Sequence, residues 1–113
     1  MALSHEIEPL MAALRTVPGV QSVVRGWPKA KEKLPCIAVN LASEVVLDYR
    51  DDRRYLMEVE FYLRLFTAQA TQADALRDAI DDLMLSQGYE LTMAYDDDSE
   101  QIRMSVFRYR KAL

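Results

Sequence analysis

The stretch from Tyr55 to Phe66 constrains the fold of this chain more than any other. Tyr55, Met57, Val59, Phe61, Leu63 and Leu65 alternate with Leu56, Glu58, Glu60, Tyr62, Arg64 and Phe66. A period of two is the mark of a β-strand, and the first set, apolar throughout, is the core face. At ~3.3 Å per residue the stretch reaches about 40 Å, about twice the length of an ordinary strand. Such a strand must curl or project beyond the body it belongs to.

The period changes from two to about 3.6 downstream of it. Thr71 can cap a helix whose apolar stripe is Ala73, Leu76, Ile80, Leu83 and Met84. Asp74, Asp78, Asp81 and Asp82 lie mostly opposite, with Arg77 in reach of Asp74 and Asp81. Gly88 marks the C-cap region. Tyr89, Leu91, Met93 and Tyr95 then alternate on one strand. Ile102, Met104 and Val106 alternate on another, with Phe107 and Tyr109 on its opposite face. The acidic run Asp96-Asp97-Asp98-Ser99-Glu100 hinges the two.

Upstream, Ser4 is a candidate N-cap, and Ile7, Leu10, Met11 and Leu14 recur at helical spacing. This predicts a short helix ending near Thr16, stopped by Val17-Pro18-Gly19. Val20 to Arg25 reads as a strand and Gly26 to Pro35 as a loop. Cys36 to Val46 is a strand with Ile37, Val39 and Leu41 on one face, and Leu47 to Arg53 is a charged turn or flexible loop. The order is α-β-β-β-α-β-β. Strands joined mostly by turns predict a mostly antiparallel sheet of about five strands with two helices packed on one face, an α+β fold. The 113 residues suit a single domain, 1–113.

Charge narrows the partners. The net charge is −4, whereas a duplex nucleic acid partner usually needs a basic face, so direct nucleic-acid binding is not expected. Positive charge is local: Arg25, Lys29, Lys31 and Lys33 in one loop, and Arg103, Arg108, Arg110 and Lys111 at the end. A lone cysteine, Cys36, forms no internal disulfide and fits a reducing cytosol. No apolar run approaches the ~18 residues of a membrane span, and the first residues carry acids where a signal peptide carries bases. A cytosolic protein with no membrane association is expected.

Catalytic chemistry finds little support. His5 is the only histidine and lies at a polar terminus. Cys36 opens a buried-type strand, where a lone cysteine acts as a small hydrophobe. The glycines Gly19, Gly26 and Gly88 are isolated and form no phosphate loop. Asp96, Asp97 and Asp98 are the best metal candidates, since hard cations take clustered carboxylates. They lack the spaced ligands of a calcium loop, and aspartates are common turn residues that discourage edge association. No enzyme activity, cofactor or metal is expected. Trp27 stands in the lysine loop either as an anchor to its own core or as an interface anchor, where tryptophan is enriched. Tyr49 with Arg50, Arg53 and Arg54 makes a second interface candidate, as tyrosine and arginine are frequent at interfaces.

Several features run in an order familiar from one family. They are an N-terminal helix, the strand Pro35-Cys-Ile-Ala-Val39, an Asp/Arg-rich loop and the long strand around Val59-Glu-Phe-Tyr-Leu63. A helix opening near Gln72-Ala-Asp-Ala-Leu, then Gly88-Tyr89, Tyr95-Asp-Asp-Asp98 and a final strand complete the series. In this the chain resembles the tail terminator, or tail completion, proteins of long-tailed phages and prophages, minor tail proteins of the lambda-like type. The resemblance covers nearly the whole chain in order of elements, and residue by residue only the long strand and the Gly-Tyr…Asp-Asp-Asp stretch. It implies a homo-oligomer, a hexameric ring on the tail tube protein that stops tube polymerisation and meets a head connector protein. It also implies assembly in the host cytoplasm and residence in the virion tail. It brings no catalytic residues. The chain lacks the sizeable insertion before Gly88 that longer members carry.

Two rival readings stand beside it: a head-closure or tail-adaptor neck protein, and a small metal-dependent enzyme using the acidic hairpin. A ring needs two different complementary patches on each subunit. Here these would be Arg50, Arg53 and Arg54 against the acids of the second helix and Asp96 to Asp98, with the over-long strand free to extend a neighbour's sheet.

Overall fold

A computed structural model describes residues 6–29, 31–51, 53–99 and 102–113, with the side chains of 53–56 outside the described set. The elements are α1 (Ile7–Leu14), β1 (Ser22–Arg25), β2 (Cys36–Arg50), β3 (Arg53–Thr67), α2 (Ala70–Ser86), β4 (Glu90–Asp96) and β5 (Arg103–Ala112). They form one five-stranded sheet in the order β1-β2-β3-β5-β4. Only β1 and β2 run parallel; every other neighbouring pair is antiparallel. The α+β class and the order of elements match the sequence expectation.

The long strand is longer than its apolar pattern indicates. β2 and β3 each run 15 residues and pair along almost their whole length, from Cys36↔Phe66 to Arg50↔Arg53. The stretch expected to be a charged turn or loop, Leu47 to Arg53, is therefore mostly strand. Tyr49 supplies β preference there, continuing the run of Val45 and Val46, and the chain reverses between Arg50 and Arg53. Asp51 adopts φ 52°, a left-handed conformation that aspartate tolerates better than most residues. β1 pairs only with Cys36–Val39, and β5 reaches β3 only as far as Glu58. The distal hairpin thus projects past the body, and the molecule measures 52 × 25 × 24 Å.

Both helices lie on one face. Leu10, Met11 and Leu14 of α1 and Leu76, Ile80 and Met84 of α2 pack on Ile37, Val39, Val59, Phe61, Leu63, Leu65, Phe107 and Tyr109. Each fully buried side chain of this kind contributes roughly 1.5–3 kcal/mol. The apolar set of the long strand is buried from Met57 to Leu65, as its period predicts. A second, small cluster on the other face joins Cys36, Ala38 and Phe66, with Val24, Ile102 and Met104 against it.

Of three element ends marked in the sequence, one lies outside the described residues, one differs and one matches. The cap expected at Ser4 lies outside the described residues. α2 begins at Ala70 with Gln69 as its N-cap and no side-chain cap, so Thr71 falls inside the first turn. α2 ends as Gly88 predicts: at φ 89° its N–H donates to Leu85 O (3.0 Å) and that of Tyr89 to Met84 O (3.0 Å). These two bonds form a Schellman closure, sealed by buried Tyr89.

The fourth strand also departs from its pattern. Tyr89, Leu91, Met93 and Tyr95 do not share a face, because the register shifts between Leu91 and Met93. Leu91 stands opposite Tyr109 on the helix side, whereas Met93 and Tyr95 stand opposite Arg108 and Val106 on the open side. A bulge adds one residue and so reverses the facing of every later residue in the strand. Ala94, opposite Phe107, takes the core position instead.

Candidate interaction surfaces

Trp27 follows β1, and Gly26, at φ 86°, turns the chain there while its N–H donates to Val39 O (3.1 Å). This sets the indole on the open face of the sheet. Its ring meets Phe66 at 5.9 Å between centroids, and it remains 64% exposed. The ring rests on the small cluster of that face while most of it faces solvent.

The open face carries a ladder that the sequence pattern did not reveal. The Arg64 guanidinium lies 5.1 Å from the centroids of both Trp27 and Tyr62, and that of Arg108 lies 5.4 Å from Tyr62. Arg108 in turn pairs with Glu60, and that bond raises its pKa further. The alternation of Glu60, Tyr62 and Arg64 along β3 was legible. Their meeting with Trp27 and Arg108 is a cross-strand event, fixed by the register Tyr62↔Arg108.

Tyr49 and Arg50 stand at the far tip of the hairpin. Tyr49 is 62% exposed, and Arg50 Nε lies 3.8 Å from Asp48 Oδ2. Arg53 and Arg54 continue the tip on β3, with side chains outside the described residues. Leu41, Val45 and Leu47 are also exposed along β2, beyond the reach of β1.

Asp96, Asp97 and Asp98 lie at the opposite end of the sheet, near the start of α2. Asp98 accepts hydrogen bonds from Arg103 Nη1 (2.8 Å) and Met104 N–H (3.2 Å), and Asp96 accepts one from Ser105 Oγ (2.9 Å). Two of the three carboxylates are thus engaged in closing their own turn. Among the described residues no group of acids, histidine or cysteine is arranged to hold a metal ion. The structure does not bring the hairpin arginines and these acids together within one chain; the sheet separates them.

Of the nucleophile candidates, one is buried and one lies outside the described residues. Cys36 is fully buried and burial raises its pKa, partly offset by a hydrogen bond from Ser22, which disfavours the reactive thiolate. His5 lies outside the described residues. The aspartate row of α2 is not uniform: Asp81 Oδ1 accepts the Tyr109 hydroxyl at 2.8 Å. Burial, then this bond, pushes the Tyr109 pKa up, and burial does the same to Tyr89. Arg77 lies over the Phe107 ring at 5.5 Å. Among the described residues no helix is long and apolar enough to cross a membrane.

No family model matches the sequence, and no curated protein does. Among solved structures, the fold is similar to that of a chain in the virion of a native gene transfer agent (GTA) particle. The two share 23% sequence identity at a TM-score of 0.51, over 89% of this chain and 81% of that one. At that identity the likeness concerns the fold.

Proposed function

We propose that this chain is a structural, non-enzymatic part of a phage-type virion, and within it a tail terminator: a subunit of a hexameric ring that caps the tail tube and joins tail to head. The observation that carries this reading is the similarity over 89% of the chain to a fold found in a virion. The resemblance in motif order to tail terminators points the same way. The surfaces suit a ring subunit. A hairpin arm bearing Tyr49, Arg50, Arg53 and Arg54 projects from one end, and acids lie at the other. Different patches at different places on one subunit favour head-to-tail contacts, which close into rings.

Native mass measurement tests the ring. A mass of six chains is the expected result, together with arrest of tube growth when the protein is added to polymerising tail tube protein. A chain that stays monomeric at high concentration and leaves tube length unchanged sinks the proposal. Arg53→Glu with Arg54→Glu is expected to weaken the ring, and light scattering reads the loss.

A further inference from the structure

Among the described residues no helix covers the open face of the sheet, and the loop that brings Trp27 onto it is strongly basic. Arg25, Lys29, Lys31 and Lys33 are all exposed. Among the described residues none of the four forms an ion pair. Within residues 25–33 only Glu32 opposes them, a net charge of +3. Trp27 belongs to the same segment, its ring packed against Phe66 and the Arg64 guanidinium. The helix-covered face is the reverse. Asp74, Asp78 and Asp82 of α2 are exposed, and none of them forms an ion pair among the described residues. With Asp81 and Arg77, residues 74–82 carry a net charge of −3.

One molecule therefore presents a loop of unneutralised bases with an exposed aromatic set on the open sheet face, and unneutralised acids along a helix on the other. From this charge complementarity we infer that Trp27, Arg64 and the lysine loop form a docking site for α2 of a second copy of this chain. The neighbour's helix would cover the uncovered sheet face, and its aspartates would lie among Lys29, Lys31 and Lys33. Trp27 is the anchor: a large ring, already held by its neighbours, gains burial at little ordering cost. The contact joins unlike surfaces, so it repeats head to tail. This inference rests on the ring proposed above; it gives the acids of α2 to the lysine loop of the neighbour and leaves Asp96 to Asp98 to the hairpin arginines.

Charge swapping tests it. One variant carries Lys29→Glu, Lys31→Glu and Lys33→Glu; a second carries Asp74→Lys, Asp78→Lys and Asp82→Lys. Each alone is expected to weaken assembly by on the order of tenfold or more. Mixing the two, or combining all six changes in one chain, is expected to restore it, since opposite charges then again meet across the interface. Rescue excludes misfolding as the cause. Trp27 is the only tryptophan, so its emission should shift to shorter wavelength on assembly, and added salt should reverse the shift.

Hexamers that form normally from both single variants overturn this interface and leave the ring standing. A wild-type chain that never assembles overturns both. A wild-type chain that binds duplex DNA at physiological salt through the lysine loop, with Trp27 still exposed in its oligomer, assigns the patch to nucleic acid and overturns the inference.

Discussion

The two faces of the sheet are built from the same strands by opposite means. On the helix side, β3 contributes Val59, Phe61, Leu63 and Leu65, each at most 2% exposed. On the open side the intervening residues Glu60, Tyr62 and Arg64 are half-buried in a ladder of charge and ring contacts. The first face gains stability by removing apolar surface from water. The second gains less that way: only the small cluster of Cys36, Ala38 and Phe66 is buried there, and its charges stay near solvent, where such pairs contribute modestly. Under the proposed assembly, this partly apolar, partly charged face serves a partner more than the fold of the single chain. The difference predicts that mutations on the two faces separate stability from assembly.

The strongest test is Phe61→Ala. It empties the centre of the helix-side core, where the ring meets Tyr89 at 6.1 Å, and should cost about 3–5 kcal/mol in urea unfolding. A loss below about 1 kcal/mol would mean that the two faces do not differ as described.

Next comes Gly88→Ala, which forces a side chain into the left-handed closure of α2. Space is not the obstacle, since a Cβ there would meet only the flexible Lys111 chain at 3.5 Å. The obstacle is the φ of 89°, and thermal unfolding should register about 1–2 kcal/mol.

Tyr109→Phe removes the hydroxyl bonded to Asp81 and should cost about 1 kcal/mol near neutral pH. The same residue sharpens the pH dependence. The folded pKa of Tyr109 is raised above its unfolded value of about 10. The neutral phenol is therefore the form the fold favours. Its contribution is complete below pH ~10 and is lost as pH rises above that value. Unfolding followed from pH ~8 to ~11 should show a steeper alkaline decline for the wild type than for the variant.

The smallest effects belong to the exposed side. Tyr49→Ser at the hairpin tip should change stability by less than about 0.5 kcal/mol while weakening assembly. A large loss of folding stability there would place the tip in the fold rather than in its contacts.

The legibility of the chain follows the range of the interactions involved. The alternation of β3 identified its core face because a pleated strand buries every second residue whatever its partners are. Gly88 announced the end of α2 because a Schellman closure is a local geometry that glycine alone adopts without strain. Thr71 misled because capping depends on where the preceding strand releases the chain. Leu47 to Arg53 reads as a loop because its charges outweigh the single strong β former, Tyr49, and the pairing with β3 is what extends the strand. The bulge that turns Met93 and Tyr95 away from the core left no local mark.

Among the candidate contact residues, Trp27 was singled out by its type, while Arg64 and Arg108 were missed. Their rings and charges meet only across neighbouring strands. The sequence by itself determined the elements, their order and the face most of them bury, since these depend on periods and caps within a few residues. Tertiary structure alone decided that β2 outruns β1, that Arg64 covers Trp27, and that Trp27 and the acids of α2 end on opposite faces of one sheet. Those facts depend on register and pairing between residues tens of positions apart, which no local pattern encodes.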